Sequence, residues 1–193
     1  KEVDLIAVKV MSDKGSGSSS NILSGIDWVV GNAKKTGKPS VANLSIGGGF
    51  SLTENDAIKA ATEAGVVMVV AAGNEDSDAC DGSPGSEPAA VTVAASDDKN
   101  IRASYSNWGS CVDVFGPGSA ITSTWIDSPD ATNTISGTSM ASPHVCGVAA
   151  KIRSANPTMS VSAVAAKIVS DATPSQIDDV KGSPNLMVFA DCS

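Results

Sequence analysis

Seven consecutive apolar residues, Val66 to Ala72, stop abruptly at Gly73-Asn74, and no other stretch limits the fold of this chain so tightly. A run this short cannot span a bilayer, which takes roughly 18 to 20 residues, and its valine content suits a strand covered on both faces. Strands of that kind sit inside parallel sheets. The flanking segments agree: Ile22, Ile26, Val29 and Ala33 recur at helical spacing until Gly37-Lys38-Pro39 ends the pattern, and Val41 to Ile46 then reads as a strand. Thr53 with Asp56 resembles a capping box, and Ala57, Ile58, Ala61 and Ala64 continue one helical face up to Gly65. Val3 to Met11 reads as a further strand ahead of all these.

Strands alternating with helices over short connections predict an α/β fold, a three-layer sandwich with a mainly parallel sheet in the middle. Val91 to Ala95 and Val112 to Phe115 add strands, while Ser139 to Ser154 and Ser160 to Asp171 read as helices, the latter with Ser160 as N-cap. Gly73 to Pro88 is rich in Gly, Asp, Ser and Pro and reads as a long functional loop. No internal repeat is visible. At 193 residues the chain is of one-domain size, and its formal net charge of -8 repels phosphate backbones, so nucleic acid is excluded as a partner. No apolar stretch is long enough for a membrane helix.

The four cysteines, Cys80, Cys111, Cys146 and Cys192, form no C-x-x-C pair and have one histidine to join them, which argues against structural zinc. Cys80 and Cys111 both lie in polar loop-like stretches, where a disulfide formed in an oxidising compartment is the expected state. Cys146 falls in the apolar run Val145 to Ala150 and reads either as a buried thiol or as a partner for another cysteine.

Ile135-Ser136-Gly137-Thr138-Ser139-Met140-Ala141-Ser142-Pro143-His144 is a polar, glycine-punctuated turn opening into an apolar helix. Ser139 is thereby held at the positive end of a helix dipole, a favourable place for a nucleophile whose attack creates an oxyanion. An arbitrary G-T-S would more often be a plain N-cap. Asn74, after Ala71-Ala72-Gly73 at the C-terminal end of a buried strand, supplies a neutral amide donor at the edge where parallel sheets place their sites.

The string SGTSMASPH resembles the nucleophile motif of the subtilisin-like serine proteases (peptidase S8). Val8-Lys9-Val10, Asn43 to Gly49, Val70 to Asn74, Tyr105 to Gly109 and Phe115 to Gly118 follow in the family's order, nearest to the proteinase K branch. The resemblance implies a secreted serine endopeptidase with Ser139 as acylated nucleophile and Asn74 as oxyanion donor. It implies that Gly15, Ser16 and Gly17 and, opposite them, Ser45, Ile46, Gly47 and Gly48 are the rims that hold an extended polypeptide substrate. Ala71, Ala72 and Gly73, with Gly47, would line an uncharged S1 pocket favouring apolar or aromatic P1 residues. It also implies a structural calcium bound by the carbonyls of Pro88 and Ala90 with the Asp113 carboxylate. No cofactor is expected for the chemistry.

A serine nucleophile needs a base within hydrogen-bond reach and a carboxylate to orient that base. The one histidine, His144, lies five residues after Ser139, about 140° round and roughly 7.5 Å along a helix, out of reach. Neither D-S/T-G nor H-G-T-H, the family segments that carry the aspartate and the base, occurs. The chain is therefore expected to be the C-terminal portion of one catalytic domain, a monomer when completed by an N-terminal segment. The competing reading is a peptide-binding remnant without catalysis. An esterase is disfavoured, since G-x-S-x-G would need glycine where Ala141 stands. The sequon Asn43-Leu44-Ser45 is expected to stay unmodified on a buried strand.

Overall fold

The computed structural model describes residues 3–191, and Cys192 lies outside them. In chain order its elements are α1 (Ser19–Thr36), β1 (Ser40–Leu44), β2 (Gly48–Gly49), α2 (Leu52–Glu63), β3 (Val66–Ala71), a 3-10 turn (Ala79–Asp81), β4 (Gly82–Ser83), β5 (Val91–Ser96), β6 (Val114–Pro117), β7 (Ile121–Thr124), β8 (Thr132–Ile135), α3 (Thr138–Ala155), α4 (Val161–Asp171), β9 (Thr173–Pro174) and β10 (Leu186–Met187). The main sheet runs β1-β3-β5-β6-β10-β9 and is parallel except where β9 meets β10.

β3 explains the layering. Its six residues are all buried, and because side chains alternate across a strand they fall into two sets. Val66, Met68 and Val70 pack with Ile22 and Ile26 of α1 and Ile58 and Ala61 of α2. Val67 and Val69 pack with Ala141, Val145 and Ala149 of α3 and Val164 and Ile168 of α4. An entirely apolar strand is what a sheet covered by helices on both sides requires, and the α/β sandwich read from the sequence is the observed fold.

The helix ends follow their residues. Gly37 closes α1 in the left-handed conformation with φ 65°, and its N–H bonds the Ala33 carbonyl. Ser160 caps α4 by accepting from the Ala163 N–H. α2 differs from the expectation: its N-cap is Ser51, which accepts from the Glu54 N–H, and Thr53 already lies inside the helix. The expected loop after β3 holds the 3-10 turn and β4, which pairs antiparallel with β2.

Val3 to Met11 is not a strand. It joins no ladder among the described residues, and Leu5 is 92% exposed. Apolar, β-branched composition favours an extended chain, yet a strand also needs a neighbour's N–H and C=O groups, and no strand among the described residues pairs with this segment. The hairpin of β7 and β8 was not legible as strands, since Ile121-Thr-Ser-Thr and Thr132-Asn-Thr-Ile carry little apolar alternation and are mostly exposed.

Cys80 and Cys111 are bonded across a sequence separation of 31, which by the chain-entropy argument contributes roughly 3 to 4 kcal/mol. Cys146 is unpaired among the described residues and half-buried, and burial pushes its thiol up to about 11. Arg102, with 2% of its side chain exposed, bonds the carbonyls of Ala103, Ser106 and Asp179 and the carboxylates of Asp76 and Asp179. Lys181 reaches Asp76 as well, so the loop after β3 is stitched to the segment before β10.

Candidate active site

α3 begins where β8 ends, and the turn between them is clamped from below. Gly137 N–H donates to the Gly118 carbonyl and Ala120 N–H to the Ser136 hydroxyl. Gly118 allows this approach, because a Cβ there would lie 2.5 Å from that of Ala95. Helix geometry leaves the first N–H groups of α3 without intrahelical partners. Thr138 N–H donates to Asn74 Oδ1 at 2.8 Å, while Ser139 N–H and the half-buried Ser139 hydroxyl carry no partner among the described residues.

Asn74 is oriented through its oxygen. Oδ1 accepts from both Thr138 N–H and Thr138 Oγ1, the latter at 3.0 Å, and Thr138 Oγ1 in turn accepts from Gly73 N–H. With Oδ1 occupied twice, the amide is locked in rotation, and Nδ2 is left as a donor without a partner among the described residues at the start of α3. The arrangement offers two N–H groups, one from a side chain and one from the backbone, to negative charge developing on a neighbouring oxygen.

The turn that presents Asn74 is organised by Asn107. Its Nδ2 donates to the Ala72 carbonyl and to Glu75 Oε2, and its Oδ1 accepts from the N–H groups of Glu75 and Ser77. Gly73 adopts φ 105°, and a Cβ there would come within 2.2 Å of Asn107 Nδ2. Asn107 stands in one of the blocks that carry the family resemblance, but its side-chain role needs the three-dimensional fold to be seen.

Pro143, inside α3, has no N–H to give the carbonyl four residues back, which is that of Ser139. The Ser45 hydroxyl takes that place and donates to the Ser139 carbonyl at 2.8 Å. Asn43 Nδ2 donates to Ser45 Oγ, and Ser142 Oγ donates to Asn43 Oδ1. The end of β1 is thus tied to the first turn of α3. Asn43 is exposed rather than buried as the sequence led us to expect, with both ends of its amide engaged.

Register places Leu44 beside Val70, so Ser45 to Gly48 and Ala71 to Gly73 leave the same edge of the sheet as Asn74 and Ser139. Ala71 and Ala72 are buried, while Gly47 and Gly48 are exposed. Gly15 to Gly17 form a separate turn closed by Ser12 N–H to the Ser16 carbonyl, and no hydrogen bond joins it to these residues among the described ones. His144 is exposed with Nδ1 on the Met140 carbonyl, turned to its own helix and not to Ser139.

Asp113 lies apart from this group. Its Oδ2 accepts from Thr92 N–H at 2.7 Å, near where Pro88 and Ala90 lead into β5, and burial pushes its carboxyl up to about 6 despite that bond. The folded value exceeds the ordinary 3.8, so Asp113 favours folding while protonated. In calcium-free buffer stability should fall by about 3 kcal/mol as pH rises from about 4 to about 6 and then level off. Urea midpoints across that range, compared with Asp113→Asn, measure the term. Parallel pH profiles for the two proteins would show that Asp113 does not contribute it.

Comparison with known proteins agrees with this geometry. Alkaline serine exoprotease A of Vibrio alginolyticus is 47% identical over 196 residues, covering 100% of this chain and 36% of that protein. The extracellular serine proteinase of a Thermus species is 47% identical over 98% of the chain and 46% of its own length, and alkaline protease 1 of Emericella nidulans 47% identical over 98% and 47%. The chain spans less than half the length of each of these three relatives. The crystal structure of a cold-adapted subtilisin-like serine proteinase superposes with a TM-score of 0.90 at 44% identity, covering 95% of this chain and 66% of that one. The subtilase family model matches residues 1–186, and with the helix that opens at Ser139, the strand-end asparagine and the parallel sheet already in place, the chain belongs to the subtilase family, peptidase S8.

Proposed function

We propose that this chain supplies the nucleophile and the oxyanion site of a secreted serine endopeptidase. The observation that carries the reading is the double hold on Asn74 Oδ1, which leaves Asn74 Nδ2 and Ser139 N–H as the free donors at the mouth of α3. Ser139 Oγ attacks the scissile carbonyl, and its proton passes to a base from outside the described residues. The carbonyl oxygen becomes an oxyanion that accepts from Asn74 Nδ2 and Ser139 N–H. Collapse breaks the C–N bond, the protonated base returns its proton to the leaving amine, and water later hydrolyses the acyl-enzyme.

The substrate is an extended polypeptide laid along Ser45 to Gly48 and Gly15 to Gly17, with an apolar or aromatic P1 side chain toward Ala71, Ala72 and Gly73. Secretion is supported by the Cys80–Cys111 bond and by the Thermus relative, whose name describes it as extracellular. No helix among the described residues is long and apolar enough to cross a membrane. A structural calcium would be held by Asp113, a half-buried carboxylate with no cationic partner among the described residues, with the carbonyls of Pro88 and Ala90 as the protein's further oxygen ligands.

A second reading, a peptide-binding protein without catalysis, draws support from the Ser139 hydroxyl, which has no base beside it among the described residues. Fluorophosphonate labelling of the secreted protein, mapped by mass spectrometry, separates the two. Modification at Ser139 that Ser139→Ala abolishes is the expected result, and an unlabelled Ser139 would favour the binder.

A further inference from the structure

Two donors can serve one oxyanion when each lies about 2.7 to 3.1 Å from the same oxygen, so the separation between them has to be held tightly. Asn74 belongs to the loop after β3, and Ser139 N–H to the first turn of α3, elements joined directly by the Thr138 bonds. A second link runs through Tyr105, the one tyrosine of the chain.

Tyr105 reaches towards both donors. Its backbone carbonyl accepts from Asp76 N–H at 3.0 Å, two positions beyond Asn74 on the same loop. Its hydroxyl donates to the Gly118 carbonyl at 2.9 Å and accepts from Ser119 Oγ at 3.0 Å. The Gly118 carbonyl also accepts from Gly137 N–H at 2.9 Å, and Gly137 is the N-cap of α3. A carbonyl oxygen has two lone pairs, so both donors are accommodated. Gly118 is moreover pressed against Gly137, since a Cβ on it would lie 2.9 Å from the Gly137 carbonyl oxygen. A displacement of Gly118 is therefore passed to the start of α3.

The tyrosine is itself anchored. Its half-buried ring packs on the core that holds Ala95 of β5 and Ala141 of α3. Arg102 Nη1 donates to the carbonyls of Ala103 and Ser106, while Ser106 Oγ accepts from Ala95 N–H and donates to the Asn107 carbonyl. Asn107 N–H then bonds the Gly73 carbonyl. A tyrosine side chain turns about two bonds and is stiff between them, so little slack separates its backbone from its hydroxyl.

We propose that Tyr105 is a positioning residue for the oxyanion site: it braces the Asn74 loop against the first turn of α3 and makes no contact with substrate. Its consequence for catalysis rests on the peptidase reading, but the brace itself does not. Both arms end one or two residues from a donor, one through backbone and the other through the phenol, and the phenol arm can be removed alone.

Tyr105→Phe keeps the ring and deletes the bond to Gly118. In the secreted protein, amide-resolved hydrogen exchange of Gly137 N–H should quicken by about three- to tenfold, the value of one neutral hydrogen bond, while Gly37 N–H at the end of α1 stays unchanged. With a peptide substrate, kcat should fall by about the same factor and KM should hold, the pattern of an interaction felt in the transition state. Affinity for a peptide aldehyde, across whose C=O the Ser139 O–H adds, should fall with kcat, and affinity for the product peptide should not. Ser119→Ala leaves the bond to Gly118 in place and should change none of these. Unaltered exchange at Gly137 overturns the brace, and faster exchange with kcat intact overturns its positioning role. A raised KM at constant kcat would make Tyr105 a substrate contact and overturns the proposal as well. A protein that neither cleaves peptide nor reacts with fluorophosphonate at Ser139 fails the peptidase reading alone, and exchange at Gly137 still decides whether Tyr105 braces the two segments.

Discussion

Residues 1–193 alone should turn over peptide substrates about a millionfold more slowly than the enzyme completed by its base, the scale seen in subtilisin when the serine or the histidine is removed by itself. His144 is turned to the Met140 carbonyl, and Ser139 Oγ has no partner among the described residues. An unactivated hydroxyl at neutral pH is a poor nucleophile, and the two oxyanion donors do not remove its proton. They do preserve a residual acceleration of roughly 10³ to 10⁴ over water, too small for an ordinary assay to register. A chromogenic peptide assay with the chain alone, then with an upstream family segment bearing D-T-G and H-G-T-H, measures the difference. Full turnover by the isolated chain would mean that a base exists within it.

The second large effect belongs to Asn74. In the completed peptidase, Asn74→Ala should lower kcat by about 100 to 1000 fold and leave KM nearly unchanged, the cost measured when subtilisin loses its own side-chain donor. The selectivity for kcat follows from geometry: Nδ2 is aimed at charge that exists only once the carbonyl carbon has become tetrahedral, so it binds the ground state weakly. Asn74→Ala also takes away the acceptor of Thr138 N–H and Thr138 Oγ1, but Thr138 Oγ1 keeps the bond it accepts from Gly73 N–H, and Ser45 still holds the Ser139 carbonyl, so the start of α3 stays anchored while one donor goes. Steady-state kinetics at neutral pH decide the matter, and an unchanged kcat would take Asn74 out of the mechanism.

Much of this was open to reading in the sequence, for identifiable reasons. β3 announces itself because a strand covered on both faces tolerates no polar residue, and α1 because Gly37 is the ordinary residue for a left-handed helix end. Ser139 and Asn74 are legible because each sits at an element's end that leaves its own backbone bonds open. Two features lay beyond such reasoning. The segment 3–11 has a strand's composition, but pairing is a property of neighbours, and composition cannot supply them. Asn107 bonds Ala72, Glu75 and Ser77 across about thirty residues of chain, so its role as the organiser of the Asn74 turn exists only in three dimensions. The Ser45 bond to Ser139 is intermediate. Pro143 marks an orphaned carbonyl in the sequence, but nothing there names its donor.

A peptidase lives in solution with its own catalyst, and the stitching around Arg102 bears on which of its segments survive. Cleavage requires a segment to peel away and lie extended in another molecule's groove, so exposure alone does not make a loop a substrate. The segment after Asn74 is held by the contacts of the buried Arg102 and of Lys181 to Asp76 and by the Cys80–Cys111 bond, so local release there means breaking two ion pairs, one of them to a buried guanidinium, under a covalent restraint. The tip between β7 and β8 has no such anchor among the described residues: its two strands form a sheet of their own, and Ile126 stands 90% exposed within it. On the proposed peptidase reading, autolysis is steered away from the loop after β3 and toward the hairpin that leads into α3, where a single cut would silence the molecule that suffers it.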